Sequence, residues 1–134
     1  MIIDASAVIA ILDDEPDGPD YLARIRAATH KGMAAPTFVE TALVMDNRRT
    51  GVPPERLTQF FEEQQIMLTD FTPEHAHLAR EAYRRYGRGS GHPARLNFGD
   101  CLSYAAARAS DEPLLFKGDD FAHTDVRDAC AESR

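Results

Sequence analysis

Five carboxylates stand where apolar segments of this chain end or begin. Asp4 closes the run MIID, Glu40 heads PTFVETALVM, and Asp100 lies early in LNFGDCLSYAAARA. Asp119 and Asp120 follow the apolar PLLFKG. Burying an unpaired carboxylate among apolar groups is costly, so each needs a partner or a purpose. Like charges drawn into one pocket cannot all stay ionised without a cation. Oxygen-only donors of this type favour Mg²⁺ or Mn²⁺ over zinc. Each residue also has a purely structural role open to it. Thr37-Phe38-Val39-Glu40 fits a capping box, and Asn97-Phe98-Gly99-Asp100 fits a weaker one. Asp4 suits the cap of a helix beginning near Ala5 or Ser6, and Asp119 and Asp120 suit a turn. The roles coexist, because a helix start can aim a carboxylate at a shared site.

The elements that would position these acids alternate between strand and helix. MIID is a short β-branched run and reads as a buried strand. ASAVIAILDDE has helical spacing and ends before Pro16, and a second helical pattern runs from Asp17 to His30 before Gly32. MAAP is a candidate strand, after which Thr37 opens a helix towards Arg49. Past the turn TGVPP, PERLTQFFEEQQ is amphipathic and IMLTDF reads as a strand. Thr72-Pro73 is a helix start, and that helix continues to about Arg85. The Gly-rich, basic GRGSGHPAR reads as a loop, a helix covers Leu96 to Ala109, and PLLFKG is the last strand. This order predicts an α/β fold, a mostly parallel sheet covered by helices. In such sheets, sites form at the carboxyl ends of the strands.

A length of 134 residues fits one domain, 1–134. No apolar run approaches the ~18 residues needed to span a membrane. The N-terminus lacks a signal-peptide pattern, so a cytoplasmic protein is expected. Cys101 and Cys130 are too few for a disulfide framework. The net charge of -7 argues against binding nucleic acid through overall positive charge, although local cations matter more than the sum. Arg80, Arg84, Arg85, Arg88, His92 and Arg95 fall in one short region, with Arg48 and Arg49 elsewhere. His75, His77 and His123 read as surface residues, and Phe60, Phe61, Tyr83 and Tyr86 as core or interface.

Taken together, MIIDASAVIAIL, FVETALV, LNFGDCLSYAAA and LLFKGDDFAHTD resemble the bacterial VapC-type toxins of the PIN-domain family. The likeness spans nearly the whole chain, with the motifs in the family's order. It implies a PIN-like fold with helices on both faces of the sheet. It also implies a metal-dependent endoribonuclease, the toxin of a type II toxin–antitoxin pair. Matched by position, Asp4, Glu40, Asp100 and Asp120 are the catalytic acids, with Asp4 and Asp100 holding Mg²⁺ or Mn²⁺. Asp119 is the rival for the fourth acid, and Ser6 and Thr124 are further candidates. Arg85, Arg88, Arg95 and Lys117 are candidates to hold the RNA backbone, which supplies affinity without sequence choice. The resemblance implies a cognate VapB-type antitoxin across the active-site groove, a homodimer, and a hetero-oligomer with the antitoxin.

Other functions compete. A PIN-like module that binds RNA or a partner without cutting would be expected to lack a key acid, and all are present. A phospho-receiver domain needs an acidic pair after its first strand, yet Asp13 and Asp14 fall beyond the first helix. A haloacid-dehalogenase-like phosphatase needs D-x-D where this chain has Asp4-Ala5-Ser6.

Overall fold

The structure, a computed structural model, describes residues 1–48 and 51–131. Arg49 lies outside the described residues. Four strands form one parallel sheet: β1 (Ile2–Ile3), β2 (Gly32–Ala34), β3 (Met67–Thr69) and β4 (Leu114–Leu115), in the order β3-β2-β1-β4. Among the described residues, six α-helices surround it: α1 (Ala5–Leu12), α2 (Gly18–Ala27), α3 (Ala35–Asn47), α4 (Glu55–Gln64), α5 (Pro73–Tyr86) and α6 (Phe98–Ser110). A short 3₁₀ turn covers Asp120–His123.

The strands are only two or three residues long, but their alternation separates two cores. Successive strand side chains point to opposite faces. Ile2, Ala34 and Leu114 pack with Ala82, Tyr86, Cys101 and Tyr104 from α5 and α6. Ile3, Met33 and Leu115 pack instead with Val8, Ile25, Leu57 and Phe60 from α1, α2 and α4. Helices therefore cover both faces, as the family resemblance implies. The central pair β1 and β2 is buried, whereas β3 is an edge strand with Met67 and Leu68 exposed.

Several boundaries differ from the sequence reading. Helix α3 begins at Ala35, two residues before Thr37, with Pro36 in its first turn, where a missing N–H costs nothing. Thr37 is therefore a buried helical residue and not a cap, and no capping box links it to Glu40. Helix α2 stops at Ala27, short of His30. Helix α6 starts at Phe98 with Asn97 as its cap. Leu96, expected inside that helix, instead pairs with Gly87 in an isolated bridge, where its N–H donates to the Tyr86 carbonyl at 2.8 Å. The Arg88 N–H returns a bond to the Leu96 carbonyl at 3.0 Å, so the basic loop is closed at its base. Thr72 caps α5 as expected, in a box completed by His75.

Candidate active site

Because all four strands run the same way, their carboxyl ends share one edge, where β1 delivers Asp4 and β2 leads into α3. Asp4 ends β1 in extended backbone and caps α1. Its Oδ2 accepts the Ser6 N–H at 3.0 Å and the Ser6 hydroxyl at 2.6 Å. The Ser6 Oγ in turn accepts the Lys117 N–H at 3.0 Å, which ties the first strand's acid to the segment after β4. The other oxygen, Oδ1, accepts the hydroxyl of Ser103 from α6. Asp4 is only 5 % exposed and Ser103 only 1 %.

Asp100 occupies the third position of α6. Its N–H donates to Asn97 Oδ1 at 2.8 Å, and its Oδ2 accepts the Asn97 N–H at 3.0 Å. The capping box read in the sequence therefore forms here, and it orients the carboxylate without removing it from the site. Burial is the largest cause raising the Asp100 pKa to about 6. The Asn97 amide and the Arg88 charge pull it down, while Asp4 and Asp120 push it up.

Glu40 reaches the same place from α3 along a longer side chain. Its carboxylate lies directly over Gly99, where a Cβ would fall 1.7 Å from Glu40 Oε2. The absence of a side chain at Gly99 is what admits the carboxylate. Burial, then the charges of Asp4 and Asp100, raises the Glu40 pKa to about 7. Both acids are thus pushed up from the ordinary carboxylate range because they meet in a partly desolvated space, a pattern that clusters at functional sites.

Asp4, Ser6, Glu40, Asp100 and Lys117 line one cleft of about 290 Å³, joined by Glu15 and Arg48. The two cations there already have partners. Lys117 pairs with Glu15 and, at 3.0 Å, with Asp17, and Arg48 pairs with Asp13. Asp120 opens the 3₁₀ turn and is exposed, with its charge felt at Asp100. Asp119 precedes that turn and is also exposed. The Thr124 hydroxyl donates to the Phe121 carbonyl at 2.8 Å and closes the turn. Arg88 acts on Asp100 and borders a groove between α5 and α6. Arg95 is exposed in the basic loop at a φ of 53°. Arg85 lies over the Tyr86 ring at 4.7 Å, near Asp125.

Sequence reasoning missed Glu15 and Arg48 as members of the cleft, and Ser103 as a buried partner of Asp4. Ser103 had a signal: it is a hydroxyl one turn beyond Asp100, and positions three apart share a helix face. Glu15 and Arg48 come together only through tertiary packing.

Residues 1–127 match the PIN domain family. The chain belongs to that family. It is similar to ribonuclease VapC28 of Mycobacterium tuberculosis, with 47% identity over 129 residues, covering 96% of this chain and 97% of the relative. It is also similar to ribonuclease VapC42 of the same organism, at 42% over 130 residues, covering 97% and 99%. The fold of this PIN domain matches the crystal structure of M. tuberculosis VapC20, described as a sarcin-ricin loop cleaving toxin. That match has a TM-score of 0.70 at 15% identity and covers 93% of this chain and 95% of the other. Among the described residues of this PIN domain, no helix is long and apolar enough to cross a membrane.

The donor set fits a hard divalent cation. Every acid in the cleft offers oxygen, and Glu40 and Asp100 are protonated most readily where a cation would replace the proton. Among the described residues, no three Asp, Glu, His or Cys side chains form a ready-made cage. Mg²⁺ does not require one, since it commonly binds through one or two carboxylates together with water and substrate phosphates.

Proposed function

We propose that this PIN domain is a Mg²⁺- or Mn²⁺-dependent endoribonuclease of the VapC type, acting as the toxin of a toxin–antitoxin pair. The observation that carries the reading is the convergence of Asp4, Glu40 and Asp100 from three elements on one small cleft. The 42–47% identity to VapC ribonucleases over nearly the full chain supports it. The reaction is hydrolysis of an RNA phosphodiester, leaving a 3′-hydroxyl and a 5′-phosphate.

Asp4 and Asp100 would hold the ion, with Glu40 and Asp120 completing or extending the site. When bound, the ion polarises the phosphate and lowers the pKa of the attacking water. The chain's own groups do the rest. Ser6 and Ser103 fix the Asp4 carboxylate, and Asn97 fixes Asp100. Glu40 would bring a further carboxylate oxygen to the site from α3, over the bare backbone of Gly99. Arg88 and Arg95, at the base and rim of the closed loop, would steady the RNA backbone in this reading. Lys117 reaches RNA only by giving up Glu15 and Asp17.

A VapB-type antitoxin is the expected inhibitor, since a basic side chain entering the cleft would satisfy its acids. The exposed Val39 and Leu43 on α3 support a homodimer built on that helix. The test is incubation of the purified protein with total bacterial RNA under Mg²⁺, Mn²⁺ or excess chelator, with Asp4→Asn and Asp100→Asn alongside. Discrete fragments that need both the metal and the carboxylates are the expected result. Cleavage that survives in both variants would remove the assignment. Intact RNA, with metal bound and the fold preserved, would favour a binding-only PIN module.

A further inference from the structure

We propose that the groove between α5 and α6 is a nucleobase site, in which one base beside the scissile phosphate stacks on Phe98 and Tyr83 while Arg80 and Arg88 hold its phosphate. The site takes its ligand from the ribonuclease reading above and extends that reading beyond the acid cleft.

The groove encloses about 800 Å³ and runs into the cleft through two shared elements. At the start of α6, Asn97 and Phe98 line the groove, while Asp100 lines the cleft. On α3, Pro36 lines the groove and Glu40, four residues later, lines the cleft. That separation is about 6 Å along the helix axis at ~1.5 Å per residue. A group in the groove therefore lies next to one held at the acids.

The walls present two aromatic faces. Phe98 is the first residue of α6 and is 78 % exposed, more than any other large apolar side chain among the described residues. A helix start does not call for an aromatic, and packing does not use this one. Tyr83 lines the groove from α5 and is exposed, whereas Phe60, Phe61 and Tyr86 are buried. Its ring rests on the bare backbone of Gly87, where a Cβ would lie 2.6 Å from the Tyr83 Cδ1. That support holds the ring in place before a ligand arrives, which lowers the cost of binding.

The rim supplies the charge. Arg84 and Arg85 of α5 pair with Glu81 and Asp125. Arg80 and Arg88 are exposed, and among the described residues neither forms an ion pair. Asn97 Oδ1 is taken by the Asp100 N–H at 2.8 Å, so its side-chain amide nitrogen is the part left for a ligand. Two aromatic faces, two uncommitted cations and one amide donor match a nucleotide, whose base stacks and whose phosphate meets arginine. With a net charge of -7, this chain attracts RNA only where its cations are local and unpaired. A second copy fits less well. Meeting groove to groove about a two-fold axis, it would set these arginines against their own duplicates.

The experiment follows the ring signals of Phe98 and Tyr83 by NMR while the purified protein, with Mg²⁺, is titrated with AMP, GMP, CMP and UMP. None of these has an internucleotide bond to cut, and ribose 5-phosphate is the control without a base. Saturable shifts at both rings with nucleotides, and none with the control, are the expected result. Phe98→Ala is expected to weaken nucleotide binding about 10-fold, within the range for losing one stacked base. Phe98→Tyr keeps the aromatic face and is expected to bind as wild type does. If Phe98→Ala does not fold, Tyr83→Ala makes the same measurement. Equal shifts with ribose 5-phosphate, or wild-type affinity in the folded alanine variant, overturn the inference. Ring signals that move with protein concentration and not with nucleotide assign the groove to a second copy and also overturn it. RNA cleavage without nucleotide shifts removes the base site alone. Nucleotide shifts in a protein that cuts no RNA support the base site and remove the nuclease reading.

Discussion

Gly99→Ala separates the stability of this fold from its chemistry, because the two should respond in opposite directions. Gly99 lies in the first turn of α6 at an ordinary negative φ, so alanine is conformationally welcome there. Alanine is better than glycine within a helix by up to about 1 kcal/mol. The new methyl, however, would lie 1.7 Å from Glu40 Oε2 and 2.5 Å from its Cδ. Non-bonded carbon and oxygen do not approach closer than about 3 Å, so the carboxylate must retreat by more than 1 Å. It can do so, because it is the far end of a flexible, half-buried side chain. The fold is therefore expected to keep its melting temperature or gain slightly, while the acid leaves its place. A misplacement of about 1 Å can cost about 10²-fold in rate. The assay pairs a thermal melt with kcat/KM for RNA cleavage. Cleavage within a few-fold of wild type would refute the claim that Glu40 must lie over Gly99. A melting temperature lower by many degrees would show instead that Gly99 serves packing between α3 and α6.

The remaining expectations concern charge and capping. Glu40 and Asp100 hold protons more tightly folded than unfolded, so they favour the native state below their unfolded pKa values. That contribution is lost as pH rises through about 6 and 7. The metal-free protein should therefore melt at lower temperature at pH 7.5 than at pH 4.5 as far as these two groups are concerned, and excess Mg²⁺ should narrow the gap. Melts at both pH values with and without the ion check this. Asp120→Asn should cut cleavage by roughly 10-fold or more, the scale of losing an outer-shell partner, whereas Asp119→Asn should stay close to wild type. Parallel cleavage assays decide between them. Asn97→Ala removes the cap of α6 and should cost about 1 kcal/mol, a drop of roughly 4 °C on a thermal melt.

Asp4 and Asp100 were legible because their chemistry coincides with local punctuation, one at a strand end and one in a helix's first turn. Glu40 reaches the same cleft, but not for the local reason the sequence offers. The Thr37-to-Glu40 spacing suggested a cap, yet Pro36 favours the first turn of a helix already under way. The acid is aimed by side-chain length and by the bare backbone of Gly99, a relation between α3 and α6 that local sequence does not carry. Similarly, Leu96 has the periodicity of the helix that follows it but pairs with Gly87 to close the loop. Ser103 was hidden by its company, since a lone hydroxyl among alanines reads as a small core residue until Asp4 is brought against it. The pairing of Lys117 with Glu15 and Asp17 spans about a hundred residues and depends on the finished fold.

The division of one sheet between two cores has a consequence for how this chain can change length. Ile2 serves one core and Ile3 the other, and the next residue is Asp4. Removing or adding one residue within β1 would exchange the two isoleucines and turn the acid away from its partners, because a one-residue slip inverts every side chain. No spare residue in β1 could absorb the error. The loop between Gly87 and Leu96 is the opposite case. Its ends are pinned together, its interior is mostly exposed, and Gly89 and Gly91 adopt left-handed backbone with open space around them. Insertions there lengthen the excursion beyond its closing bridge without disturbing α5 or α6. Variation in length should therefore gather in that loop, beside the acids and the arginines, while the two isoleucines before Asp4 remain fixed in number.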